Sequence, residues 1–116
     1  MIRRFVTACL MSALCSTTSL AQAPTQLVTP QEWSAYKERF IDSSGRVIDD
    51  GNGKISHSEG QGYGLILAWL AGNREDFERL WSFTLTNLML RDDGLAVWKW
   101  DPFAKQPVAD PNNASD

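Results

Sequence analysis

The sequence Ser-Glu-Gly-Gln-Gly-Tyr-Gly at residues 58–64 contains the side chain with the clearest potential for chemistry, the carboxyl group of Glu59. An apolar stretch follows, so Glu59 is expected in the first turn of a helix, where the helix dipole favours an ionised carboxylate. Each of the three glycines costs about 1 kcal/mol inside a helix relative to alanine, which indicates that another group approaches this backbone closely. A general acid beside a glycine-lined cleft fits the pattern, and so does a carboxylate that only stabilises the helix end.

Residues 48–59 offer a second chemistry, because they resemble the middle of a calcium-binding EF-hand. Side chains that match EF-hand loop positions 3, 5, 6, 8, 9 and 12 are Asp50, Asn52, Gly53, Ile55, Ser56 and Glu59. The first ligand position holds Ile48, which has no oxygen to offer, so a surface turn rich in Asp, Asn and Gly is the favoured interpretation. His57 is the only histidine, which excludes a histidine cluster; we expect no metal and no cofactor, and His57 is expected to be a loop residue beside Glu59.

A first helix is predicted to begin after Thr29. Thr29 is a suitable N-cap, Pro30 suits the first helical position, and Glu32 completes a capping box. Aromatic side chains then recur at helical spacing from Trp33 onwards. The helix is expected to end near Asp42, where Ser-Ser-Gly follows.

Two further helices are predicted around the motif. Ser58 is expected to cap the second helix in another capping box with Gln61, and Gly72 is expected to end it. Asn73 is expected to begin the third helix, whose apolar face at helical spacing comprises Phe77, Leu80, Trp81, Thr84, Leu85 and Leu88. Residues 95–100 alternate in the manner of a short strand.

Helices joined by short loops predict an all-α fold. The second helix is apolar on almost every face between residues 63 and 71, which is typical of a helix buried on all sides. Two other helices do not suffice to enclose it, so the sequence predicts one part of a larger helical domain. We accordingly expect the 116-residue polypeptide on its own to be neither a stable domain nor an active enzyme.

The N-terminus has the features of a secretory signal peptide. Arg3 and Arg4 provide a positive start, residues 5–14 are mostly apolar, and Ser19 and Ala21 place small residues where signal peptidase cleaves. The apolar run is shorter than the roughly 20 residues that span a bilayer. We therefore expect cleavage after Ala21, no stable membrane insertion afterwards, and a periplasmic or secreted protein.

The predicted organisation is a signal peptide at 1–21, a linker at 22–28 and one domain at 29–116. Cleavage would remove both cysteines, Cys9 and Cys15, and with them any disulfide. It would also remove two arginines and change the formal charge from −3 to −5. An acidic chain is a poor partner for nucleic acid, since phosphate backbones require a basic surface, whereas a neutral polysaccharide is compatible.

Four stretches match motifs of a known enzyme family. They are Gly-Arg-Val-Ile-Asp at 45–49, Ser-Glu-Gly-Gln-Gly-Tyr-Gly at 58–64, the helical face at 77–88, and Asn-Ala-Ser-Asp at 113–116. In these stretches the chain resembles glycoside hydrolase family 8, especially the bacterial cellulases associated with cellulose synthesis. The resemblance implies a toroid of six α/α hairpins, of which residues 29–116 would form the N-terminal part of the catalytic domain.

The resemblance also implies a function, endo-hydrolysis of β-1,4-glucan (cellulose) with inversion at the anomeric carbon. It implies that Glu59 is the proton donor and that Asp116 lies in the substrate cleft. Tyr63, Trp98 and Trp100 are expected to contact the substrate. The family's general base matches no residue of this chain. A functional link to cellulose synthase is a further expectation, and a non-catalytic carbohydrate-binding fragment is the alternative function.

Overall fold

The computed structural model describes residues 26–113. Within that range the chain forms three helices and two short strands: α1 (Pro30–Phe40), β1 (Ser56–His57), α2 (Ser58–Leu70), α3 (Arg74–Asn87) and β2 (Lys99–Trp100). The strands pair antiparallel, with Ser56 opposite Trp100 and His57 opposite Lys99. The expected strand at 95–100 is thus reduced to two residues. The predicted signal peptide at 1–21 and Asp116 lie outside the described residues.

Helix α1 begins as the sequence predicts. The Thr29 hydroxyl accepts from the Glu32 backbone N–H at 3.2 Å, and the Glu32 carboxylate accepts from the Thr29 N–H at 2.9 Å. The backbone hydrogen bond from Thr29 lowers the pKa of Glu32, followed by the bond from its hydroxyl. The helix ends at Phe40, two residues earlier than expected, because Ile41 turns to extended backbone and forms a β-bridge with Val47.

Buried polar contacts join α1 to α3. The Trp33 indole N–H donates to Asp76 at 2.8 Å, and the Lys37 ammonium contacts the same carboxylate oxygen at 2.9 Å. Burial opposes ionisation of Asp76, but the hydrogen bonds from Lys37 and Trp33 outweigh it and lower the pKa of the carboxyl group. Asn73 caps α3 as predicted, since its side chain accepts from the Asp76 backbone N–H.

The predicted cap of α2 is wrong. Ser58 is the first helical residue, and the N-cap is His57, whose side chain accepts from the Gly60 backbone N–H. The capping box with Gln61 does not form, because the Gln61 side chain is fully buried in the core. The helix ends at Leu70, and Gly72 follows in the left-handed region at φ 66°, as expected for a glycine just past a helix end.

The core lies where α1 and α3 meet one face of α2. Gly64 permits the close approach, since a Cβ there would stand 2.8 Å from Val47 Cγ2 and 3.3 Å from Leu80 Cδ2. The buried apolar residues of this cluster are Trp33, Val47, Ala68, Ala71 and Leu80.

The other faces of α2 and α3 carry exposed apolar side chains. Helix α2 is not buried on all sides by residues 26–113, since Ile66 is 56% and Trp69 71% exposed. On α3 the predicted apolar face is only partly correct, because Trp81 and Leu85 are exposed. The buried side of that helix comprises Asp76, Leu80, Phe83 and Thr84. No helix among residues 26–113 is long and apolar enough to cross a membrane.

Candidate active site

Glu59 lies in the first turn of α2 with an exposed side chain. One turn later, the Tyr63 hydroxyl donates a hydrogen bond to Glu59 Oε1 at 2.9 Å. This hydrogen bond, followed by the negative charge of Glu59, raises the pKa of the Tyr63 phenol. The phenol therefore stays protonated as a hydrogen-bond donor, and it restricts the rotamers of the Glu59 side chain.

The carboxyl group of Glu59 opens onto a cleft of about 1070 Å³. Its wall combines polar side chains with apolar and aromatic ones. The lining residues are Asn52, His57, Ser58, Glu59, Gly62, Leu65, Trp81, Thr84, Met89, Ala96, Trp98 and Asn113. A cleft with a carboxyl group beside broad apolar surfaces suits a sugar chain, whose ring faces are apolar and whose edges carry hydroxyls.

The backbone holds Trp98 next to the turn that carries Glu59. The Ser58 N–H donates to the Trp98 carbonyl at 3.1 Å, and the Trp98 N–H donates to the Asn113 carbonyl at 3.1 Å. Trp98 is 39% exposed, and the Lys99 ammonium lies 5.7 Å from the centroid of its ring. The structure thus brings Glu59 and Trp98 into one cleft.

Trp100 and Tyr63 do not line this cleft. The Trp100 ring packs edge-on against Phe83, with centroids 5.4 Å apart, and the Arg46 guanidinium lies 5.1 Å from its centroid. Trp100 therefore holds β2 against the core, and its expected place in the cleft wall is not what the geometry shows. Tyr63 reaches the site only through Glu59.

Residues 110–113, which lead toward Asp116, are fastened near the cleft. The Arg91 guanidinium donates to the carbonyls of Pro111 and Asn112 and pairs with Asp93. The hydrogen bonds from Arg91 lower the pKa of Asp93 to about 2. Asn113 reaches the cleft wall, while Asp116 itself lies outside the described residues.

Comparison with known proteins identifies the family to which this cleft belongs. The family model for glycosyl hydrolases family 8 matches residues 1–116. The chain belongs to glycosyl hydrolase family 8. An endoglucanase of Cellulomonas uda is 43% identical over 84 residues, which are 72% of this chain and 23% of that relative. A probable endoglucanase of Novacetimonas hansenii is 40% identical over 101 residues, 87% of this chain and 30% of the relative.

Solved structures of family 8 enzymes have the same local fold. The endo-beta-1,4-glucanase CMCax from Acetobacter xylinum matches with a TM-score of 0.66 and 42% identity, over 72% of this chain and 26% of that one. A family 8 endoglucanase from Klebsiella pneumoniae matches with a TM-score of 0.67 and 43% identity, over 70% and 26% of the two chains. The chain spans about a quarter of the length of these relatives. The helical structure and these neighbours confirm the expected fold class, part of the family's all-α toroid.

Gln61 has a structural role that the sequence did not predict. Its Oε1 accepts from the Val47 backbone N–H at 2.5 Å, and its Nε2 donates to the Thr84 hydroxyl at 3.1 Å and the Gly45 carbonyl at 3.2 Å. It thereby ties the 45–49 motif to α2 and α3. A polar residue between glycines at the start of an apolar helix could have indicated this role. If such a residue is buried, its polar groups need hydrogen-bond partners.

The side chains of the possible EF-hand do not converge. Asp50 pairs with Arg39 at 3.2 Å, and the Ser56 hydroxyl donates to the Val47 carbonyl at 2.5 Å. Glu59 is engaged with Tyr63. Between residues 26 and 113 there is no group of three or more His, Cys, Asp or Glu side chains placed to hold a metal ion. The loop instead forms a turn network, with Asp49 accepting from the Gly51 N–H.

Proposed function

We propose that this family 8 chain supplies the proton-donor side of the cleft in an endo-β-1,4-glucanase, with Glu59 as the general acid. The observation that carries the proposal is the position of Glu59 in the first turn of α2, at a cleft that it shares with Trp98. The similarity to endoglucanases of Cellulomonas uda and Acetobacter xylinum supports the same activity.

The proposed chemistry is a single displacement with inversion. Glu59 donates its proton to the glycosidic oxygen as the bond from that oxygen to the anomeric carbon breaks, and the leaving sugar departs as an alcohol. A water molecule attacks the anomeric carbon from the opposite face and gives its proton to a general base, about 6.5–9.5 Å from the acid in inverting enzymes. The Tyr63 hydroxyl, which donates to Glu59, stabilises the carboxylate that remains.

Cellulose is the proposed substrate. The exposed Trp98 indole gives a glucose ring an apolar surface on which to stack, and the formal charge of the chain, −3, disfavours nucleic acid. Asp116 is proposed to contact the sugar or the attacking water. A functional link to a cellulose synthase is proposed as well, on the similarity to the Acetobacter xylinum enzyme.

Release of reducing sugar from carboxymethyl-cellulose by the full-length natural protein tests the function, and Trp98→Ala tests the cleft. We expect hydrolysis by the wild type and a KM for Trp98→Ala raised by about tenfold, since base or ring stacking on an aromatic side chain is worth about 1–3 kcal/mol. Phe103→Ala is the control, because that aromatic residue is 76% exposed in a loop and lies outside the cleft lining. Binding of cellulose without hydrolysis would favour the carbohydrate-binding alternative. If the protein neither bound nor hydrolysed cellulose, both the glucanase function and the carbohydrate-binding function would be refuted.

Export is proposed on the sequence of residues 1–21. We expect the mature protein to begin at Gln22, because the positive start, the apolar run and the small residues at 19 and 21 are those that signal peptidase requires. Sequencing the N-terminus of protein recovered from periplasm or medium measures this. Recovery of the chain from the cytoplasm with Met1 intact would show that no signal is removed.

A further inference from the structure

His57 connects the turn that carries Glu59 to the 45–49 motif. Its Nδ1 accepts from the Gly60 backbone N–H at 2.9 Å, and its Nε2 lies 3.2 Å from Asp49 Oδ2. The side chain is 24% exposed and lines the cleft. The ring also packs directly over Gly60, where a Cβ would stand 3.1 Å from His57 Cε1.

These contacts assign the tautomer of the imidazole. A ring nitrogen that accepts from a backbone N–H carries no proton, so Nδ1 is unprotonated and the proton of the neutral ring is on Nε2. That N–H then donates to Asp49, and the hydrogen bond at one nitrogen fixes the state of the other. Asp49 Oδ1 is occupied by the Gly51 N–H at 3.1 Å, which leaves Oδ2 for the ring.

The same contacts bear on Glu59, which lies between His57 and Gly60 in the chain. The cap fixes the first turn of α2, and with it the direction in which the Glu59 Cα–Cβ bond leaves the backbone. Beyond the backbone, the carboxyl group contacts the Tyr63 hydroxyl, which belongs to the same helix. The acid is therefore anchored to the rest of the cleft through the backbone of this turn. Two side chains secure the turn, His57 at its start and Gln61 at its end.

We propose that His57, held in one tautomer by Asp49, is a positioning residue for the proton donor. It acts by capping α2 at Gly60 and so orienting Glu59 toward the glycosidic oxygen. This inference rests on the proposed role of Glu59. Proton donation by Glu59 then also depends on Asp49, because the Asp49 carboxylate fixes which nitrogen of the His57 imidazole carries the proton.

The test uses kcat and KM of the full-length natural protein on a cello-oligosaccharide and on an activated aryl cello-oligosaccharide. His57→Ala should lower kcat on the first substrate by about tenfold, since a misplaced catalytic group costs between tenfold and about 10²-fold, with KM little changed. The loss should be smaller on the aryl substrate, whose leaving group needs less protonation. His57→Asn should recover most of kcat, because Asn offers an acceptor to the Gly60 N–H at an N-cap.

Asp49→Asn tests the tautomer. The Gly51 N–H and the imidazole contact different oxygens of Asp49. Asparagine replaces one of these oxygens with an NH2 donor, so either the turn or the ring loses its acceptor. We expect a lower kcat in the wild-type background and no further loss in the His57→Asn background, where no ring remains to be fixed. Asp49→Asn keeps side-chain volume and His57→Asn keeps an acceptor for the Gly60 N–H, so both remain informative if His57→Ala fails to fold.

Two results would overturn the inference while leaving the proposed function intact. One is a lowered Tm for His57→Ala with unchanged kcat on both substrates, which would make His57 only a helix cap. The other is an equal effect of Asp49→Asn in both backgrounds. Failure of the proposed function looks different, because the wild type would then not hydrolyse β-1,4-glucan, or Glu59→Gln would leave the rate unchanged.

Discussion

Replacing Glu59 with glutamine should lower kcat for β-1,4-glucan hydrolysis by about 10²–10⁴-fold, the usual contribution of a general acid or base. Glutamine has nearly the same shape and can still accept from the Tyr63 hydroxyl, which now donates to Glu59 at 2.9 Å. It has no proton to transfer to the glycosidic oxygen, so the leaving sugar would depart as an alkoxide. Substrate binding should be retained, since the cleft wall formed by Trp98 and its neighbours is unchanged.

The measurement is kcat and KM of the full-length natural protein on soluble cello-oligosaccharides, with Glu38→Gln as the matched control. Glu38 is an exposed glutamate of α1 and lies outside the cleft lining, so the same chemical change there should leave both constants within about twofold. An activated aryl leaving group should restore much of the lost rate in Glu59→Gln, because such a group needs little protonation. If the Glu59→Gln enzyme hydrolysed cello-oligosaccharides at the wild-type rate, Glu59 would not be the proton donor and would only stabilise the end of the helix.

The features that local sequence determines were predicted correctly. The Thr29 and Glu32 capping box and the Asn73 cap each depend on a side chain and a backbone group three residues apart. Such contacts are complete within one turn, so residue types at fixed spacing suffice to predict them. Gly72 at the end of α2 belongs to the same class, because its left-handed backbone is a local requirement.

The features that were missed depend on partners distant in the chain. Ser58 is the better N-cap by residue type, yet His57 is the cap because Asp49, eight residues away, holds the other side of its ring. Gln61 does not form the expected capping box, because its amide is hydrogen-bonded to the Val47 N–H and the Thr84 hydroxyl. The spacing of residues within one segment does not predict which distant loop packs against which helix.

The two tryptophans of the candidate site separate for a similar reason. The resemblance to the family implied that Trp98 and Trp100 both contact the substrate. In an extended strand, residues two apart would share one face. The paired strand begins only at Lys99, so the alternation does not extend to Trp98. Arg46 and Phe83, both distant in sequence, then hold the half-buried Trp100 ring against the body of the fold.

The largest loss of stability is expected for Gly45→Ala, at the first residue of the 45–49 motif. Gly45 adopts φ 86°, and a Cβ there would lie 2.3 Å from the Arg79 carbonyl oxygen and 2.6 Å from its carbonyl carbon. Those atoms belong to the backbone of α3 and cannot rotate away, so the turn must move off the helix. Overpacking typically costs about 1–3 kcal/mol, and a left-handed backbone costs an L-residue a further 1–2 kcal/mol, roughly.

Gly53→Ala is a matched control that separates these two costs. Gly53 also has a positive φ, 66°, but a Cβ there would meet nothing within 4 Å, so its substitution should carry only the backbone penalty. We expect Gly45→Ala to lower the free energy of unfolding of the full-length natural protein by about 2–5 kcal/mol, and Gly53→Ala by about 1–2 kcal/mol, both measured by urea denaturation. The excess at Gly45 also includes the hydrogen bond from Gln61 Nε2 to the Gly45 carbonyl, which stretches when the turn moves. Equal destabilisation by the two substitutions would mean that the turn is free to leave α3, and that Gln61 does not fix the 45–49 motif against the helices as the structure indicates.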